Sequence, residues 1–82
     1  MSAVYEFEFQ PDIPHLETIL EAITSWYRRD RVEARRCLVS PRLALPWPSF
    51  ERGIHSPFGL LLVQADSNCP ENYGVLLAGP VP

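Results

Sequence analysis

The chain has 82 residues, 46% hydrophobic and 21% charged, with a formal net charge of −3 at pH 7. That length makes one domain, 1–82, burying roughly 60–65% of its unfolded surface, and the composition excludes wholesale disorder. The mild charge excludes an overall basic field for nucleic acid and a polybasic tail, and no apolar run approaches the ~18–20 residues of a membrane span.

The charge is unevenly spread. Residues 1–27 carry Glu6, Glu8, Asp12, Glu17 and Glu21 with no arginine, while residues 28–36 carry five arginines against Asp30 and Glu33. Lysine is absent, so every basic side chain is an arginine, whose planar fork suits bidentate contacts at interfaces. Cys37 and Cys69 stand far apart with no CxxC pair, and the N-terminus lacks the basic and apolar regions of a leader. Together these give an expectation of a cytoplasmic protein with two free thiols.

In chain order, residues 3–10 alternate. Ala3, Tyr5, Phe7 and Phe9 fall on one side, and Val4, Glu6, Glu8 and Gln10 on the other. Period two with aromatics predicts a half-buried antiparallel strand closed by Pro11. Asp12 then offers a helix cap, with Pro14 tolerated in the first turn. Leu16, Ile19, Leu20, Ile23, Trp26 and Tyr27 recur at helical spacing and predict a helix over 13–28. Past Arg29 the pattern forks. A continuous helix to Leu38 would span about 39 Å, long for this domain, so a break near Asp30 and a strand near 35–39 are favoured. Were the strand to run over 32–39, Val32, Ala34, Arg36 and Leu38 would face one way.

Residues 40–58 are proline-rich. Leu43 and Leu45 suggest a short strand, and Pro46 and Pro48 leave an edge or an extended loop. The apolar runs 59–64 and 73–79 predict interior strands, covered on both faces or at a dimer contact, with 65–72 joining them as a hairpin loop. The expected fold is α+β, one main helix packed on a four- to five-stranded, mostly antiparallel sheet.

Candidate sites are surfaces. Arg28, Arg31 and Arg35 would make a cationic stripe if helical, able to grip phosphates or carboxylates. Trp47 and Phe50, held between prolines, are anchors that lose little entropy on docking. Glu6 and Glu8 on the strand, with Glu17 and Glu21 on the helix, form a second, acidic candidate. Against each stands an ordinary role: a solvated helix end, a plug for the sheet, a charged strand face that resists edge pairing.

Neither Cys37 with His15 or His55, nor His55 beside Ser56, forms a recognisable nucleophile–base arrangement. His15, Cys37, His55 and Cys69 lack the paired spacing of structural zinc. The loop Asp66, Asn68, Glu71 and Asn72 does not fit a calcium loop. The sequence therefore predicts no enzyme, cofactor or metal. It predicts a protein-binding module that inhibits or modulates a larger protein or complex, with Arg28, Arg31, Arg35, Trp47 and Phe50 as contacts. Compact acidic chains of this kind are frequent among phage and mobile-element proteins that inhibit host nucleases or defence complexes. The alternatives are an accessory or homo-oligomeric subunit, including a homodimer, and a nucleic-acid binder using 28–36.

Overall fold

The structure, a computed structural model, describes residues 4–44 and 53–78. The alternating segment forms strand β1 (Val4–Glu8), with Tyr5 and Phe7 packed against the core and Val4, Glu6 and Glu8 exposed on the opposite face. Helix α1 follows (His15–Asp30). It buries Ile19, Ala22, Ile23 and Trp26, the i, i+3, i+4, i+7 set that makes one stripe. Asp12 does not cap it: Pro14 occupies the N-cap with no side-chain cap, and the Thr18 amide donates to its carbonyl.

The helix stops where the apolar stripe fails. Arg31 takes the left-handed conformation (φ 58°) and its amide donates to the Tyr27 carbonyl at 2.8 Å, closing the last turn. The Arg31 guanidinium sits 5.5 Å from the Tyr27 ring centroid, and that ring packs on Phe58 at 4.6 Å. Strand β2 (Ala34–Val39) comes next, confirming the break.

A bulge between Ala34 and Arg36 corrects the expected facing of this strand. The extra residue turns Ala34 inward with Cys37 and Val39, so it does not share a side with Arg36 and Leu38. Residues 41–44 form a single helical turn, α2 (Pro41–Ala44), where a short strand starting at Leu43 was expected; Leu45, Pro46, Trp47, Pro48 and Phe50 lie outside the described residues.

Strands β3 (Ile54–Ser56) and β4 (Gly59–Ala65) form a hairpin through Pro57 and Phe58. Ser56 supports the turn by accepting from the Phe58 amide at 3.2 Å and donating to the Gly59 carbonyl at 2.7 Å. Gly59 has φ 108°, a conformation that side-chain-bearing residues rarely adopt. Strand β5 (Tyr73–Ala78) completes a five-stranded sheet of order β1-β5-β2-β4-β3. Among the described residues only β2 and β4 pair in parallel; the other neighbours are antiparallel, giving the expected α+β layer.

This order overturns the expected hairpin across 65–72. β4 and β5 are interior strands, but β2 lies between them, and the Asp66 amide donates to the Val39 carbonyl as the chain crosses the end of β2. Antiparallel pairing of β5 with both β1 and β2 makes those two strands parallel, with one strand between them and α1 as their crossover. The helix therefore covers one face of the sheet. Tyr5 stacks on Trp26 at 5.9 Å, while Leu76, Cys37 and Val63 continue the inward row from Tyr5.

Candidate functional site: the open face of the sheet

Because side chains alternate along a strand, the register that turns Tyr5, Leu76, Cys37 and Val63 inward turns their neighbours outward. One outward row reads Val4, Leu77, Arg36, Leu62 across β1, β5, β2 and β4. The next reads Glu6, Val75, Leu38, Gln64. Tyr73 stands opposite Glu8, and Leu60 opposite His55, at the two ends.

A solvated face of an antiparallel sheet is ordinarily polar. This one is largely apolar. Leu60 is 48% exposed, Leu62 46%, Tyr73 41% and Val4 38%, with Leu38, Val75 and Leu77 half-buried among them. A contiguous apolar patch rimmed by polar groups marks an interaction surface, since water gains by its removal. Polar groups do rim it: Glu6 and Glu8 at the β1 edge, Gln64 and His55 toward the other.

Arg36 lies inside the patch. Its register neighbours are Leu77 and Leu62, so its stem runs over apolar surface. Its Nε is buried and has no hydrogen-bond partner. An unmet buried donor costs about 1–3 kcal/mol. A shallow cavity of about 320 Å³ opens on the same face, lined by Glu6, Pro70, Tyr73 and Val75.

The arginines expected to form one stripe are separated. Arg28 lies exposed in the last turn of α1, Arg31 is at the C-cap, and Arg35 is in β2. Arg35 is engaged within the chain, donating from Nη1 to the Phe58 carbonyl at 2.5 Å and from Nη2 to Glu33 at 3.2 Å. The helical spacing on which the cationic stripe depended does not occur. Arg29 pairs with Asp30 at 3.0 Å and rests 5.0 Å from the Tyr5 ring centroid. That pair holds the Asp30 carboxyl below its usual range, chiefly through the hydrogen bond from Arg29.

The acidic candidates divide as well. Glu6 and Glu8 belong to the open sheet face, whereas Glu17 and Glu21 are on α1, across the layer. Glu8 and Glu21 do line one cleft of about 210 Å³ at the β1 edge, with Thr18, whose hydroxyl is buried and unpartnered, also in its wall. Trp47 and Phe50 lie outside the described residues.

Cys37 and Cys69 are free thiols. Burial, and then the neighbouring Cys69, push the Cys37 thiol up to about 12. Such a thiol stays protonated and a poor nucleophile at neutral pH. It also faces the helix side, while His55 faces the open side. Burial, Asp66 and Glu6 raise Cys69 too. Among the described residues, no three His, Cys, Asp or Glu side chains are placed to hold a metal ion, and no helix is long and apolar enough to cross a membrane.

Sequence reasoning expected interior strands at 59–64 and 73–79 but named none of their residues as a site. The available signal was a count of layers: one helix covers one face of a sheet, so doubly apolar strands leave the other face unprovided for. Comparison with protein-family models, curated proteins and solved structures finds no match for this chain.

Proposed function

We propose that this chain is a non-enzymatic protein-binding module that docks through the open face of its sheet and so modulates the protein it meets. One observation carries the reading: exposed Leu60, Leu62, Tyr73 and Val4 surround a buried, unpartnered Arg36 Nε on a single face. Apolar area supplies the affinity on docking, and the guanidinium supplies orientation by demanding an anionic acceptor at one place. The protonated, inward Cys37 and the scattered histidines support binding over chemistry.

The test is retention of protein from nuclease-treated lysate on the immobilised chain and on its Leu60→Glu/Leu62→Glu variant. The reading expects a stoichiometric protein held by the native chain and lost by the variant. An identical retained set on both would contradict it.

A further inference from the structure

The open face carries its own complement. We infer that its occupant is a second copy of this chain, two sheets packing face to face about a twofold axis, with Arg36 of each copy paired to Glu6 of the other. This rests on the reading that the open face docks protein, and names the partner.

Charge complementarity is the first argument. Among the described residues, the face holds one arginine, Arg36, near its centre, with its Nε buried and unpartnered, and carboxylates, Glu6 and Glu8, along one margin. Arg36 and Glu6 stand two strands apart and one outward row apart within a chain. A twofold axis parallel to the strands, over the boundary between β5 and β2, exchanges β2 with β5 and β4 with β1. It sets Leu62 over Val4 and Leu38 over Val75. Each Arg36 then lies over Leu77, one strand and one row from Glu6 of the partner. That in-plane offset is about 8 Å from ~4.8 Å strand spacing and ~3.3 Å rise, which extended arginine and glutamate side chains bridge together. Sheets packed this way lie ~10 Å apart with strands roughly aligned, leaving both helices on the outside. The cavity beside Glu6, walled by Pro70, Tyr73 and Val75, gives the guanidinium a place to enter.

Area sets the strength. Four strands at ~4.8 Å by about five residues at ~3.3 Å present about 300 Å² of sheet per copy. A standard interface buries at least ~600 Å² a side. The self-complex is therefore weak and reversible, with a dissociation constant in the micromolar range.

Sedimentation velocity of the full chain from ~5 μM to ~500 μM brackets that range. The inference expects mass to rise from monomer to dimer. Arg36→Glu and Glu6→Arg, each checked for native circular dichroism, should weaken association by at least ~100-fold, because each creates two like-charge pairs. An equimolar mixture of the two variants should regain the dimer, since mixing restores both opposite-charge pairs. A contact within one chain would be rescued only by placing both substitutions on that chain. Native protein that stays monomeric throughout, or a mixture that does, overturns the inference. If the native chain is monomeric while Leu60→Glu/Leu62→Glu still releases a retained protein, the second copy is refuted and the docking face stands. A dimer unaffected by Leu60→Glu/Leu62→Glu puts the second copy on another surface and refutes the inference, whatever the lysate retention shows.

Discussion

Alkaline pH should unfold this protein earlier than its charge suggests, chiefly through the Cys37 thiol, with Cys69 shifted in the same direction. The folded chain holds the Cys37 proton until about 12, whereas an unperturbed thiol releases it near 9.0. Between those values the unfolded state binds fewer protons, so stability is intact below 9.0 and falls as pH rises toward 12. At ~1.36 kcal/mol per pH unit, the full window removes about 4 kcal/mol, and by pH ~10.5 about 2 kcal/mol has gone. The assay is urea denaturation under reducing conditions at pH ~8 and ~10.5, comparing the native chain with Cys37→Ala. The substitution lowers stability at both pH values by leaving a small void beside Leu76 and Val63, but it should remove most of the pH slope. An unchanged slope in Cys37→Ala would refute the idea that Cys37 burial governs alkaline stability.

Gly74→Ala should cost about 1–3 kcal/mol, because its Cβ would stand 2.8 Å from Phe7 Cε1, 2.9 Å from Cε2 and closer still to Cζ. Urea titration measures it, and the cost should shrink in a Phe7→Leu background, where the ring is gone. Arg31→Gly should raise stability by roughly 0.5–1 kcal/mol, since glycine meets the left-handed C-cap without strain and only a surface cation–π contact is lost; thermal unfolding reads the shift. Leu62→Glu should leave unfolding free energy within about 0.5 kcal/mol, as expected at a surface position, while abolishing docking. A large stability loss there would mean that Leu62 is core.

Much of the layer was legible in the sequence, and the reasons are local. The aromatics of β1 alternate with carboxylates without interruption, so strand and facing follow together. The stripe of α1 ends where Asp30 and Arg31 replace apolar residues, and the left-handed Arg31 shows why the helix could not run on. What escaped depends on pairing between distant segments. The bulge at Arg35 has no signature in its own residues; it exists because Arg35 reaches the hairpin at Phe58 while Cys37 must meet Leu76. The strand order escaped for the same reason, since proximity in sequence favours a hairpin across 65–72 and only assembly inserts β2 there. Asp12 was a plausible cap from composition alone, but the turn from Gln10 to Ile13 carries it away from the first free amides. The candidate site was half visible. Leu60, Leu62, Val75 and Leu77 announced apolar strands, yet the position of Arg36 among them needed the register.

The central claim is that the open face of the sheet, and no other surface, is where protein docks. Methyl-resolved NMR of leucine and valine, recorded as the chain is concentrated or its partner added, tests it most directly. The account predicts shifts at Leu38, Leu60, Leu62, Val75 and Leu77, with Leu61, Val63 and Leu76, their neighbours in sequence on the helix side, unmoved. Shifts confined to Leu16 on α1, or spread equally over both faces, would contradict it.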